Sequence, residues 1–235
     1  MCGRYYVDEE TNQELLKIIR NLDKRLIGTP TQPGKKERRI KTGEIFPSDT
    51  VPIICHGKES ACYDAMTWGY PAPSMEGQSS KSNTGAKSSL IINARSESAH
   101  EKPMFSRSLA ASRIVVPASG FFEWTHDSNK DKYYFTSPES PMLYMAGLSR
   151  SFAAEQNFVI LTTKANESME DIHDRMPVLL YKDEISDYLS SKERADYYIH
   201  RKPALLNREL VNKEKSKNEE NLTSTMYDQL RLPID

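Results

Sequence analysis

The residue with the most reactive chemistry stands at the start of the chain, where Met1 is followed by Cys2. Once Met1 is removed, Cys2 carries a free α-amine and a thiol on adjacent carbons, which together form a 1,2-aminothiol. The amine has an ordinary pKa of about 7.7–8.0, so part of it is neutral at physiological pH. Such a group can attack an acyl carbon as an N-terminal nucleophile, or condense with an aldehyde to give a thiazolidine. The alternative is a cysteine that packs as a small apolar residue.

Two further positions carry groups suited to proton transfer. Glu123 lies between Phe122 and Trp124, and an apolar setting raises the pKa of a carboxyl toward neutrality, where it can act as a general acid or base. Alternation along the strand could equally turn Glu123 to solvent. His173 is followed by Asp174 and Arg175, a cluster of an imidazole, a carboxylate and a guanidinium. A single histidine is more often structural than catalytic, so this motif alone leaves both interpretations open.

Asn93 and Trp68 each allow two interpretations. Asn93 follows an apolar pair and could line a site, or could cap a helix predicted over about residues 98–111. Trp68 ends a predicted strand, where a tryptophan is usually part of the core but could also serve as a platform on which bases stack.

Two further clusters of residues are not predicted to form reactive sites. The basic run at residues 35–41 is expected to be a solvated face, with phosphate steering as the alternative. Cys55, His56 and Cys62 resemble metal ligands, but no second cysteine pair with ligand spacing follows, so the sequence predicts no metal site.

The elements that must position these side chains are mostly strands. Apolar and aromatic runs bounded by turn residues predict strands at 5–7, 51–55, 63–68, 113–117, 120–124, 132–135, 142–148 and 157–163. An apolar stripe with capping-box spacing predicts a helix over about 11–22, and shorter helices are predicted at 183–189 and 192–199. Residues 71–89 are expected to form a mobile surface loop, and about 213–235 a polar terminal segment.

Composition excludes several classes of protein. A chain of 235 residues with a net charge of -1 is not a globally basic nucleic-acid binder, although a local basic groove remains compatible. The N-terminus lacks the apolar segment of a signal peptide, and no apolar run is long enough to span a bilayer. Three cysteines do not form an even disulfide set, which favours a reducing cytoplasmic environment.

Eight short motifs in one order resemble the SOS-response-associated peptidase (SRAP) family, and the resemblance extends from Cys2 to about Tyr181. They lie at residues 1–5, 44–47, 66–69, 92–97, 116–124, 146–148, 161–166 and 172–177. The chain departs from the family's pattern after Gly69, where Tyr70 and a polar loop replace a second tryptophan, and at Arg113, where the family commonly has a cysteine shortly before the Val-Pro-Ala motif.

The resemblance implies a single α+β domain over residues 1–235, with a curved, partly closed mixed or antiparallel sheet and peripheral helices. It implies a sensor of abasic sites in single-stranded DNA that crosslinks to the sugar aldehyde through Cys2. Asn93 would hold the Cys2 amine or the sugar, Glu123 would shuttle protons, and His173 would assist ring opening. Residues of the DNA groove would be Gly3, Arg4, Trp68, Arg95, Thr162 and Arg175. We expect no cofactor, no metal, no membrane contact and no obligate protein partner, hence a cytoplasmic, nucleoid-associated monomer.

The resemblance also implies self-processing of Met1, for which a methionine aminopeptidase is an equally suitable agent because Cys2 is small. Three alternatives remain. A glutamine amidotransferase-like N-terminal-nucleophile hydrolase would also begin with Met-Cys-Gly, but would give Glu123 and His173 no role. A noncovalent single-stranded DNA-binding module would not need Cys2. A Cys-His protease would not need a free N-terminal amine.

Overall fold

Strands form at each of the predicted apolar runs, and several short strands join them. The structure, a computed structural model, describes residues 2–8, 19–20, 22, 40–57, 61–72, 90–153 and 155–211. The basic residues 35–39, most of the predicted loop at 71–89 and the polar segment at 213–235 lie outside the described residues. Of the helix predicted over about 11–22, Ile19, Arg20 and Leu22 are described, and these three are helical.

Besides the helical residues 19, 20 and 22, the described residues form fifteen strands and three α-helices. The strands are β1 Arg4–Val7, β2 Gly43–Ile45, β3 Thr50–His56, β4 Ala61–Trp68, β5 Tyr70–Pro71, β6 Leu90–Ile91, β7 Asn93–Arg95, β8 Arg113–Ala118, β9 Gly120–Trp124, β10 Lys132–Thr136, β11 Leu143–Phe152, β12 Glu155–Lys164, β13 Arg175–Pro177, β14 Leu179–Leu180 and β15 Asn207–Leu210. The helices are α1 Pro103–Ala111, α2 Ile185–Ser190 and α3 Lys192–His200, with short 3-10 turns at Ser96–Ser98 and Lys182–Glu184.

Five of the strands close into a barrel. β12 pairs with β4 in parallel, and the ring continues through β3, β8 and β11 in antiparallel pairs before β11 returns to β12. Closure leaves these strands without a free edge, which removes the usual template for unwanted strand pairing. The prediction of an α+β protein with a curved, barrel-like mixed sheet is confirmed, and the ring is closed rather than partly closed.

Successive residues of the barrel strands enter two different cores. Val116 and Ile160 belong to the cluster that contains Cys2 and Tyr5. Their neighbours Val115 and Val159 belong to a second cluster, to which the helices contribute Phe105, Tyr188 and Ile199. This alternation follows from the two-residue period of a strand, and it explains why all six residues of β8 are buried.

A second sheet with the strand order β15-β10-β9-β1-β2 carries the N-terminus, and all of its pairs are antiparallel. On its inner face, Tyr5 and Phe121 are fully buried, and the Phe121 ring stacks on Phe135 with 5.1 Å between centroids. On its outer face, Arg4 lies opposite Phe122 in the register of β1 and β9. The prediction that a short N-terminal strand anchors Cys2 in a sheet is therefore confirmed.

Arg113, where the sequence departs from the family's pattern, fastens the helices to the barrel. Its buried guanidinium donates to the carbonyls of Leu109 and Ala110 at the end of α1, and to those of Tyr188 and Leu189 near the end of α2. A cation suits the carbonyl-rich C-terminal end of a helix, and here one side chain serves two such ends.

None of the helices in the described part of the chain has the length and apolar character needed to cross a membrane.

Candidate active site and nucleic-acid surface

Cys2 is fully buried just before β1. The carbonyl oxygen of Cys2 accepts a hydrogen bond of 2.9 Å from the Asn93 side-chain amide, and this bond helps to hold Cys2 in place. Burial raises the pKa of the Cys2 thiol well above its ordinary value, and the nearby charge of Glu123 raises it further. The thiol is therefore protonated at neutral pH, and a neighbouring base must take its proton before the sulfur can act as a nucleophile.

Asn93 is held by the barrel and caps no helix. It is the first residue of β7, which pairs in parallel with β12, and the nearest α-helix begins ten residues later, at Pro103. The carbonyl oxygen of Ile92 accepts bonds from the Trp68 indole at 3.0 Å and from the Ile160 amide at 3.1 Å. The Asn93 side-chain oxygen is buried and meets no hydrogen-bond partner among the described residues, so it can accept a hydrogen bond from an amine or hydroxyl.

Glu123 faces the inner side of the N-terminal sheet, because it lies two residues after Phe121 on β9 and is 5% exposed. The alternative that it turns to solvent is wrong. Burial raises the pKa of its carboxyl, and the charge of Asp174 contributes in the same direction. A carboxyl whose pKa is raised toward neutrality can both give and take a proton near physiological pH.

His173 is the neighbour of Glu123, with 3.5 Å between Nε2 and Oε1 and both side chains buried. Its Nδ1 accepts the backbone N–H of Arg175 at 2.9 Å, which assigns the proton of the neutral ring to Nε2, facing Glu123. The Asp174 carboxylate also lies 2.9 Å from Nδ1, but that side chain is 80% exposed to solvent. Burial lowers the pKa of His173 to about 4, so the ring is neutral at physiological pH.

His126, His173 and Asp174 form a group whose ligand atoms lie within 4.8 Å of one another and that could hold a metal ion. The His173 ring cannot bind a metal in this arrangement, because its Nδ1 lone pair already accepts the Arg175 N–H and its Nε2 carries the proton. The donor set that remains, one exposed histidine and one exposed aspartate, does not make a fitted site.

Arg175 contributes its backbone N–H to the site, and its side chain is held by hydrogen bonds. Its guanidinium makes a bidentate pair with Glu97 at 2.7 and 2.8 Å and donates to the Thr162 carbonyl oxygen at 2.6 Å. Because the same residue donates its N–H to His173, this network fixes the imidazole. Glu97 contributes to this support, a role that was not predicted from the sequence.

The six residues predicted for the DNA groove occupy different environments. Trp68 and Thr162 have no exposed surface, and Trp68 packs between Tyr5 and Phe158, so a base cannot stack on its ring in this conformation. Arg175 is 9% exposed. Surface that a ligand can reach is provided by Gly3, Arg4 and Arg95.

Arg4 belongs to an aromatic–cation surface on the outer face of the N-terminal sheet, formed by Arg4, Glu44, Phe46, Phe122, Trp124 and Lys132. The Arg4 guanidinium lies 4.1 Å from the centroid of the Phe46 ring and 5.0 Å from that of Trp124. Lys132 lies 3.9 Å from the Phe122 centroid. Both cations pair with the same Glu44 oxygen, at 3.3 and 2.8 Å, so the surface retains one excess positive charge.

Sequence reasoning missed Trp124, Lys132 and Tyr5. The period of two along β9 offered a signal for Trp124, since a buried Glu123 requires its neighbour to face outward. Lys132 is opposite Trp124 only through the pairing of β10 with β9, which the sequence does not reveal. The Tyr5 hydroxyl is buried with no hydrogen-bond partner among the described residues, and it belongs to the same cluster as Cys2.

Comparison with known proteins shows which sequences this chain resembles. The model of the SOS response associated peptidase (SRAP) family matches residues 1–217. The abasic site processing protein YoaM of Bacillus subtilis is 32% identical over 162 residues, which cover 66% of this chain and 68% of the relative. The Escherichia coli abasic site processing protein YedK is 26% identical over 206 residues, covering 83% and 84% of the two chains. HMCES of Xenopus tropicalis, also named an abasic site processing protein, is 32% identical over 145 residues, covering 51% and 42%.

Solved structures show the same fold. A crystal structure of a protein from Bacteroides thetaiotaomicron superposes with a TM-score of 0.65 at 21% identity, covering 92% of this chain and 94% of that one. A protein from Bordetella bronchiseptica superposes with a TM-score of 0.62 at 21% identity, covering 90% and 100%. The match of the family model to nearly the whole chain confirms the resemblance found in the sequence, and the chain belongs to the SOS response associated peptidase (SRAP) family.

Proposed function

We propose that this protein recognises abasic sites in single-stranded DNA and crosslinks to them covalently through Cys2, as a thiazolidine formed after Met1 is removed. The observation that carries the proposal is that Asn93 bonds to Cys2, Glu123 lies close enough to shift the pKa of its thiol, and His173 adjoins Glu123, although the three lie on separate segments of the chain. The names of the relatives, abasic site processing proteins, support the substrate class.

The chemistry proceeds in two bond-forming steps. The neutral α-amine of Cys2 adds to the aldehyde carbon of the ring-opened sugar, and loss of one water gives an imine. The Cys2 sulfur then adds to the imine carbon, the thiol proton passes to the nitrogen, and the five-membered ring closes. The net change is the oligonucleotide plus the protein minus one water, with no oxidation or reduction. Ring closure requires the amine and thiol on one residue, which explains the demand for an N-terminal cysteine.

Each buried side chain has a role in the proton transfers of this sequence. Glu123, protonated to higher pH than an ordinary carboxyl, gives a proton to the departing hydroxyl and then takes the proton of the Cys2 thiol. His173 donates its Nε2 proton toward Glu123 and assists opening of the sugar ring. Asn93 orients the reacting residue without transferring a proton: its side-chain N–H donates to the Cys2 carbonyl, and its side-chain oxygen can accept a hydrogen bond from the Cys2 amine.

The exposed residues would recognise the DNA strand. The excess charge of the aromatic–cation surface suits a phosphate, and its exposed Phe46 and half-buried Trp124 offer ring faces for bases in any sequence. Gly3 and Arg95 extend this path, while Trp68, Thr162 and Arg175 act by holding it in shape. An abasic nucleotide in a single strand has no base to unpair or unstack, which lowers the cost of bringing its sugar to Cys2.

The same site would also remove Met1, giving the protein a peptidase activity on itself. The protein would act as a monomer on chromosomal DNA in the cytoplasm. The intact masses of the purified wild type and of the Glu123→Gln variant test whether the protein removes Met1 itself. Retention of Met1 in the variant alone assigns the cleavage to this site. Loss of Met1 from both proteins assigns it to a methionine aminopeptidase.

The test of the proposal is intact-protein mass spectrometry before and after incubation with an abasic single-stranded oligonucleotide. We expect the mass of the protein without Met1, then an adduct equal to the oligonucleotide minus one water. Cys2→Ser keeps the amine and is expected to give only a reversible imine that borohydride can trap. An extra residue before Cys2 should abolish the adduct, whereas a Cys-His protease would tolerate it.

Two results would instead support the remaining alternatives. DNA binding without an adduct in the processed wild type would leave a noncovalent module. Release of ammonia from glutamine would favour the amidotransferase. If Met1 is retained by the wild type, the amine of Cys2 is never free and the proposal fails.

The rate of crosslinking should also depend on pH in both directions. It falls at low pH because the α-amine is protonated, and at high pH because Glu123 loses the proton that its raised pKa retains. A flat rate from about pH 5 to about pH 9 would contradict the pairing of these two groups.

A further inference from the structure

The two other cysteines of the chain meet on the β3–β4 hairpin. Cys55 and Cys62 are directly opposite each other in the antiparallel register, between the pairs Ile54 with Tyr63 and His56 with Ala61. Their sulfur atoms lie 2.7 Å apart without a disulfide between them. The pairing of these cysteines is not evident from the sequence, which shows only an odd count of cysteines and a spacing of seven residues.

The backbone at this position already has the geometry of a disulfide. Residues directly opposite in an antiparallel pair have Cα atoms about 4.5–5.5 Å apart. Disulfides form across Cα separations of about 4.4–6.8 Å with side chains that point toward one another. The contact between the two sulfurs shows that these side chains do so, and oxidation therefore requires no movement of the strands.

The hairpin thiols differ from Cys2 in their access to small molecules. Cys2 has no exposed surface, whereas Cys55 and Cys62 are both half-buried and lie beside the exposed residues His56 and Ala61. A small oxidant can therefore reach the pair while the Cys2 thiol stays covered. A metal is a poorer occupant, because within the described residues no histidine, cysteine or carboxylate joins the two sulfurs as a third ligand.

We propose that Cys55 and Cys62 form a redox-active dithiol site that a peroxide converts to a cross-strand disulfide, separate from the chemistry of Cys2. One thiol attacks the peroxide, becomes a sulfenic acid and releases the reduced peroxide as water or an alcohol. The second thiol then displaces the sulfenic hydroxyl as water, and the disulfide forms. A dithiol reductant reverses the reaction by exchange. The disulfide joins the two strands next to their last pair, His56 with Ala61, where the chain passes from β3 to β4, and it protects both thiols from irreversible oxidation.

The experiment treats the purified full-length protein with hydrogen peroxide, alkylates it under denaturing conditions, and measures intact and peptide masses. We expect the protein to lose two hydrogen atoms, with Cys55 and Cys62 protected in one cross-linked peptide pair and Cys2 alkylated. Dithiothreitol should restore both hydrogens. The Cys2→Ser variant should form the same disulfide, and Cys55→Ser and Cys62→Ser should each leave a sulfenic acid that dimedone traps.

Three results would overturn the proposal: alkylation of all three cysteines after peroxide treatment, oxidation of Cys2 before the hairpin pair, or a disulfide found only between two molecules on a non-reducing gel. The wild-type masses decide the matter even if a serine variant fails to fold.

Discussion

The two faces of the N-terminal sheet are built from alternate residues of the same strands, yet they have opposite properties. The inner face buries Tyr5, Phe121 and Glu123 beside the buried Cys2. The outer face keeps Arg4 and Trp124 partly exposed and in contact with each other, and Arg4 also pairs with Glu44. Burial shifts the pKa of a titratable group, whereas exposure preserves a charge that salt can screen. The inner face is thus suited to reaction and the outer face to binding.

This difference makes the faces separable by experiment. A change on the inner face should alter the rate of crosslinking once DNA is bound, and should respond to pH. A change on the outer face should alter affinity and its dependence on salt, while the rate at saturation is preserved. Exposed ion pairs contribute only about 0–1 kcal/mol each to folding stability, so the outer face can be altered without unfolding the protein.

Glu123→Gln should have the largest effect. The amide has nearly the shape of the carboxyl but cannot give up or take a proton, and loss of a general acid–base group costs about 10²–10⁴-fold in rate. Single-turnover crosslinking at saturating abasic DNA measures this loss, and affinity for a tetrahydrofuran analogue that cannot react should be unchanged. Glu139→Gln, at an exposed carboxyl, is the control. A rate close to that of the wild type would remove Glu123 from the mechanism.

Trp124→Ala should have the next largest effect, on affinity. Stacking of a base on an aromatic ring contributes about 1–3 kcal/mol, and Trp124 offers a ring on the outer face that Arg4 already stacks upon. Fluorescence anisotropy with the tetrahydrofuran oligonucleotide measures the loss, and the crosslinking rate at saturation should be kept. Tyr197→Ala removes an aromatic residue that is 58% exposed on α3 and should leave binding unchanged. Equal losses in the two variants would contradict a binding role for the outer face.

The sequence predicted the inner face better than the outer one. Cys2, Asn93, Glu123 and His173 were predicted from the ordered motifs that resemble the family, but their burial depends on strand pairing over long sequence separations. Trp68 illustrates the limit. Its position at a strand end was compatible with a stacking platform, and only the packing of Phe158 and Tyr5 against its ring shows that no DNA base can reach it. The barrel closure was equally hidden, because it depends on the parallel pairing of β12 with β4.

Lys132→Met should have a smaller effect, seen mainly in salt dependence. Each cation that contacts a phosphate contributes about one unit to the slope of the logarithm of affinity against the logarithm of salt concentration. Lys132 shares Glu44 with Arg4, so its removal leaves one cation paired with one carboxylate and cancels the excess charge. Titrations at several salt concentrations should give a slope whose magnitude is smaller by about one than that of the wild type.

The control is Lys192→Met, at an exposed position on α3, which should preserve the slope. If the wild type and Lys132→Met show the same slope, the phosphate does not contact Lys132.

His173→Gln should have the effect that is hardest to see at neutral pH, because it concerns stability in acid. Burial lowers the pKa of His173 to about 4, whereas in the unfolded chain it has its ordinary value near 6.5. Between these values the unfolded chain binds a proton that the folded protein does not, so the free energy of unfolding falls as the pH falls. Glu123 acts in the opposite direction, since its pKa is raised and the folded protein holds its proton more tightly.

Urea unfolding between about pH 7 and about pH 4.5 should therefore show a smaller loss of stability in His173→Gln than in the wild type, with the exposed His200→Gln variant following the wild type. If the wild type and His173→Gln lose stability in parallel, the imidazole is not held neutral by burial. The inner face would then lack the property that distinguishes it from the outer one, and its reactivity would have to come from the arrangement of its groups without a shift in their pKa values.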